Sequence, residues 1–196
     1  DLRRSRGLGD VYKRQEGAAG TEVSGIEKSR LYPGVYWVHN DSGDSSRIFP
    51  IDSSGKIIKS YRYNRHGGQY VPDAVNMDWE DIAQDDQGNL IIADVGNNCN
   101  CRRDLVLYYI RETDPIQMMN RVFKKVFVQY PDQEDFPASV EDFNYDCEAI
   151  FHAHGKVYFL SKNRSDTKTN LYRLNEAKTN VMNTLEKVGS FDTKGM

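Results

Sequence analysis

The chain has 196 residues and a net charge of −3, with 38% hydrophobic residues, a share that glycine raises to the apolar content of ordinary globular proteins. That composition excludes global disorder, and no stretch approaches the ~18 uninterrupted apolar residues of a spanning helix. Residues 1–15 carry Arg3, Arg4, Arg6, Lys13 and Arg14 against Asp1 and Asp10, so the remainder sums to −6, which disfavours nucleic acid or an anionic membrane as partner.

Residues 1–20 read as a disordered, non-native tail, basic and without periodicity, ending in Gly17-Ala18-Ala19-Gly20. The string 2–15 resembles the translated read-through of a sequencing adaptor. That resemblance implies that the natural start, with any signal peptide, lies outside this sequence.

From residue 22 onward three segments repeat one order of features. A first strand starts at Glu22, Asp78 and Asp146, and its isoleucine (Ile26, Ile82, Ile150) recurs 56 and then 68 residues on. Turns at Gly34, Gly88 and Gly155 lead to the apolar strands Val35-Tyr36-Trp37-Val38, Leu90-Ile91-Ile92-Ala93 and Val157-Tyr158-Phe159-Leu160. Loops rich in Asp, Asn and Ser follow, then third strands at 46–51, 105–110 and 170–174. Only 116–122 and 176–185 could hold a turn or two of helix, and neither has a long apolar stripe.

Short β-branched and aromatic runs repeating at this interval predict an all-β chain, a β-propeller fragment of about three four-stranded blades. The blades are placed at 22–63, 78–131 and 146–191, within one partial propeller over 21–196. A β-sandwich has similar strand density but predicts no such repeat. Three blades cannot close a ring, so the expectation is three of six.

The set Trp37-Val38-His39-Asn40-Asp41-Ser42-Gly43-Asp44, Asn76-Met77-Asp78-Trp79-Glu80-Asp81, Ala93-Asp94-Val95-Gly96-Asn97-Asn98, Tyr130-Pro131-Asp132 and Asp146-Cys147-Glu148-Ala149 resembles a family of secreted bacterial six-bladed propellers, relatives of TolB-like and phytase-like propellers. The likeness covers 22–175. It implies a fold and an extracellular or periplasmic location, and no assigned activity.

Antiparallel connectivity puts the strand-one starts and the loops between strands two and three on one face. That mouth collects Asp78, Glu80, Asp81, Asp146 and Glu148 from strand starts. Its loops add Asn40, Asp41 and Asp44, then Asp94, Asn97 and Asn98, then Lys162. The carboxylates Asp78, Glu80, Asp94 and Glu148 are the candidate metal ligands, and Ca²⁺ is the cation that hard oxygen donors would take. The competing reading is Asx-turns and hydrogen bonds between blades. Neither acidic loop has EF-hand spacing.

At the opposite face, 84–89 and 152–156 read as hairpin turns, with His152 and His154 as solvated turn residues. No Gly-x-Ser-x-Gly elbow occurs, and Asp41-Ser42-Gly43 has no second copy for an aspartic-protease pair. Arg102, Arg103, Lys162 and Arg164 lie in loops where cations could meet phosphate. Cys99, Cys101 and Cys147 are too few and too irregular for zinc, and one disulfide to Cys147 is expected across adjacent blades.

The function expected is non-enzymatic binding of a small molecule, glycan or protein at the acidic mouth of a secreted protein. A Ca²⁺-dependent, phytase-like phosphoester hydrolase is the alternative, drawing its phosphate contacts from those four cations.

Overall fold

The computed structural model describes residues 22–59 and 67–194. The tail at 1–20 and the chain at 60–66 lie outside the described residues. Thirteen strands follow in order: β1 (Val23–Lys28), β2 (Val35–Asn40), β3 (Arg47–Asp52), β4 (Gln69–Tyr70), β5 (Trp79–Gln84), β6 (Asn89–Asp94), β7 (Val106–Arg111), β8 (Val122–Gln129), β9 (Cys147–Ala153), β10 (Lys156–Ser161), β11 (Lys168–Leu174), β12 (Met182–Thr184) and β13 (Glu186–Asp192). Among the described residues the one helical element is a 3-10 turn at Val140–Asp142.

The strands form three sheets, antiparallel apart from β12, ordered β1-β2-β3-β4, then β5-β6-β7-β8 with β12 added in parallel at its outer edge, then β9-β10-β11-β13. The inner strands β1, β5 and β9 are neighbours in turn across the sheet junctions. The arrangement is propeller-like, as the repeat predicts. The first sheet takes its fourth strand from Gln69–Tyr70, beyond the bounds 22–63 expected for the first blade.

Period-two alternation explains the packing. On the middle sheet Trp79, Leu90, Ile92, Val106, Tyr108 and Ile110 face the first sheet, where they meet Trp37 and Ile48. Ile91, Ala93, Leu107 and Tyr109 face the third, against Ile150, Phe159 and Tyr172. Both faces of the middle sheet are thus covered, so β6 and β7 read as unbroken buried runs while β11 alternates. Trp37, Ile91 and Phe159 are buried at the centres of their second strands, as expected. The Trp37 indole N–H, the polar part of that buried ring, donates to Glu112 at 2.7 Å.

Gly25 explains how closely the first two sheets approach, because a Cβ there would stand 2.5 Å from His39 Nε2 and 2.8 Å from the Asp81 Cα. Side-chain-free backbone at this point lets β1 lie on β5.

The two segments with weak helical signal form neither helix nor plain loop. Asn120 donates its backbone N–H to the Tyr70 carbonyl at 2.7 Å, and Tyr70 pairs with Met119 in parallel. Likewise β12 pairs in parallel with β8, setting Asn183 opposite Val128. In each case the connection between a sheet's third and fourth strands reaches back to the outer strand of the preceding sheet. Buried amides anchor both connections: Asn120 Nδ2 donates to the Arg111 carbonyl at 2.9 Å, and Asn183 Nδ2 to the Phe127 and Lys178 carbonyls at 2.9 Å.

Candidate functional site

Each inner strand carries a bulge near its start. Register passes from Val23 to Gly25 opposite consecutive residues of β2, from Trp79 to Asp81 opposite β6, and from Cys147 to Ala149 opposite β10. The extra residues are therefore Ser24, Glu80 and Glu148, equivalent positions of the three sheets. A bulge re-aims the side chain of its extra residue. The Ser24 hydroxyl donates to Glu80 Oε2 at 3.2 Å, and Glu80 feels the charge of Glu148 on its other side.

A second repeated feature closes the mouth. A backbone N–H just past the end of strand two, one residue on in the outer sheets and two in the middle sheet, bonds the carbonyl of the acidic strand-one start: Asp41 to Glu22 at 2.9 Å, Gly96 to Asp78 at 3.1 Å and Lys162 to Asp146 at 2.7 Å. At the middle sheet this position is Gly96, and a Cβ there would stand 2.5 Å from the carboxylates of both Asp78 and Glu80. The missing side chain makes room for two carboxyl groups.

Asp41, Asp78 and Glu80 accordingly each offer an oxygen within 4.8 Å of the others. Among the described residues no Lys, Arg or His forms an ion pair with any of them. Burial, then repulsion from Glu148, Asp41, Asp78 and Asp146, pushes the Glu80 carboxyl up to about 8. Asp78 is raised to about 6 by burial and by Asp41, against one contact from Asn98 Nδ2 at 3.4 Å that favours its charged form.

The remaining predicted mouth residues are distributed differently. Asp94 is turned onto Arg102 at 2.9 Å and accepts the Asp78 backbone N–H at 3.0 Å. Glu148 is paired with Lys162 at 2.9 Å. Two of the four candidate metal ligands are thus engaged by cations, and Asp41, placed by sequence in the mouth but not in the metal set, takes their place. Asp146 accepts from Arg164 at 2.7 Å and from the Asn97 backbone at 2.7 Å. Asp44 is bound by Arg47 and by Asn40 Nδ2, the strand residues that flank its own loop. Asp81 lies between sheets, where its Oδ2 accepts the Ile150 N–H at 2.8 Å and burial raises it to about 6. Asn97 is a buried loop anchor whose Oδ1 accepts the backbone N–H of Cys101 and Arg102, each at 2.9 Å. Exposed Asn98 links Asp78 to Arg164 across the junction.

The disulfide expectation is corrected. Cys99 is bonded to Cys101, with Cα atoms 5.1 Å apart, and Cys147 is a buried free thiol. The reason is direction: Cys147 belongs to the core between the second and third sheets, while the two loop cysteines lie at or near its surface. The four loop cations are also engaged. Arg102 is on Asp94 and Asp104, Arg103 lies 3.8 Å over the Phe136 ring, Lys162 is on Glu148 and Arg164 on Asp146. His154 lies in the hairpin turn, as expected, and has positive φ, but the His152 side chain, on β9, is only 7% exposed and not solvated.

What the sequence reading missed is the bulge, which decides that Glu80 faces the same point as Asp78. The signal was present: Ser24, Glu80 and Glu148 each stand two residues before the repeated isoleucine.

No family model and no curated protein matches the chain. Two solved structures of virginiamycin B lyase from Staphylococcus aureus are similar to it. The selenomethionine-substituted enzyme is 14% identical, with 84% of this chain and 54% of that chain covered and a TM-score of 0.37. A catalytically inactive variant with quinupristin is 15% identical at the same coverage, with a TM-score of 0.35. The chain therefore spans about half the length of either. At these values the likeness bears on neither activity nor substrate.

Proposed function

We propose that this chain is part of a secreted, six-bladed, propeller-type binding protein whose mouth holds a divalent cation of the Ca²⁺ type at Asp41, Asp78 and Glu80. One observation carries the reading: three carboxylate groups from two sheets converge within 4.8 Å without a basic partner among the described residues. Groups so placed repel unless protonated or bridged by a cation. Hard oxygen donors suit Ca²⁺, which takes 6–8 of them and tolerates irregular geometry. The Ser24 hydroxyl, already against Glu80, adds a neutral donor. The Cys99–Cys101 bond fits an oxidising compartment, extracellular or periplasmic. Binding is favoured over phosphoester hydrolysis because the four loop cations that would meet phosphate are held on carboxylates or an aromatic ring.

Calcium titration followed by thermal unfolding tests this. The expected result is stabilisation at millimolar Ca²⁺, less with Mg²⁺, and no metal response in Glu80→Gln or Asp41→Asn. No stabilisation of the parent chain, or an undiminished response in both variants, overturns it.

A further inference from the structure

The hairpin end of the molecule, opposite the acidic mouth, holds a crevice of about 400 Å³ between the second and third sheets, within the size range of small-ligand sites. His152 lines it with a side chain only 7% exposed. Its Nδ1 has no hydrogen-bond partner and stands 3.5 Å from Asp86 Oδ1, beyond an aligned hydrogen bond. Buried polar atoms are nearly always satisfied, and leaving one without a partner is costly. Asp86, 67% exposed, is the side of this pair that a ligand can reach.

The surrounding chemistry narrows what that group belongs to. Phe123, 50% exposed, forms an aromatic side of the crevice and meets Tyr109 edge-on at 6.4 Å. Gln87 and Asn175 add side-chain amides. Asp86 is open to solvent, and with Asp85 and Glu176 beside it the crevice disfavours an anion. A ligand cation meets rings that already carry one, Lys124 at 4.7 Å from Tyr109 and Arg111 at 5.7 Å from Phe123. What fits is a neutral molecule with hydroxyls on its edge and C–H groups on its face. A hydroxyl beside the His152–Asp86 pair can donate to the open Asp86 carboxylate, while the C–H face lies on Phe123.

We propose that this crevice, where the unpartnered His152 Nδ1 faces Asp86 beside the open Phe123 ring, binds a neutral saccharide. The site is independent of the cation at the mouth.

Saturation-transfer NMR on the chain with glucose, galactose, mannose and N-acetylglucosamine tests it, with circular dichroism as the check of folding. Transfer to at least one sugar is expected, lost in Phe123→Ser and in His152→Phe and retained in Asp78→Asn. Phe123 is half exposed, so its variant carries the test even if the histidine variant fails to fold. No transfer to any of the four sugars on the folded parent, persistence in Phe123→Ser, or loss in Asp78→Asn overturns the proposal.

Discussion

Glu80 occupies the extra position of its strand's bulge, and its carboxyl is drawn in two directions: burial and four neighbouring carboxylates oppose its charge, and one hydroxyl hydrogen bond supports it. The sign of the consequence follows from linkage. Its value rises from 4.5 to about 8 on folding, so the native state holds the proton more tightly than the unfolded chain. The stabilisation is complete below about 4.5 and is lost as pH rises through about 8. Asp78 and Asp81, each raised to about 6, add the same sign between 3.8 and about 6. Metal-free melting temperature is therefore expected to fall between pH 6 and 8 chiefly through Glu80. Glu80→Gln should flatten that limb and make the chain more stable at pH 8 by roughly 1–3 kcal/mol. Thermal scans with a chelator across pH check this, and an unchanged slope in the variant would mean that Glu80 keeps ordinary carboxylate behaviour.

At the scale of elements, the two reach-back connections hold adjacent sheets at their outer edges. Met119-Asn120-Arg121-Val122 and Met182-Asn183-Thr184-Leu185 share a Met-Asn pair followed, one residue later, by a branched apolar residue. The repeat was legible, but it was masked by a weak helical period, and only the carbonyls of the preceding sheet explain the asparagines. Asn183 is buried, and its amide donates to Phe127, Lys178 and Val181. Asn183→Ala leaves those carbonyls without their donor, and a loss of about 1–3 kcal/mol is expected in denaturant unfolding. Hydrogen exchange should quicken at β12 and the β8 edge before elsewhere. Equal exchange in variant and parent would mean that the connection is held by packing alone.

At the scale of the described molecule, the two larger cores lie between sheets: the middle sheet is buried on both faces, the third mainly on one, and the first carries a small cluster of its own around Val38 and Phe49. Residues 1–15 have no apolar periodicity to contribute to either core, so a chain trimmed of them should melt at the same temperature as the untrimmed chain. A lower midpoint on trimming would show that the segment is part of the folded body. The strands other than β4 and β12, their three-fold recurrence, the buried Trp37, Ile91 and Phe159, and the face on which the acidic loops gather were determined by sequence alone. Those properties follow from side-chain alternation and turn chemistry, which act between residues close in the chain. Tertiary structure alone decided that Asp41 joins Asp78 and Glu80 while Asp94 and Glu148 are taken by Arg102 and Lys162, that Cys99 bonds Cys101 and not Cys147, and that the His152 side chain is covered. The physical reason is that a one-residue bulge redirects a side chain, and which charges then meet depends on distances between groups far apart in sequence.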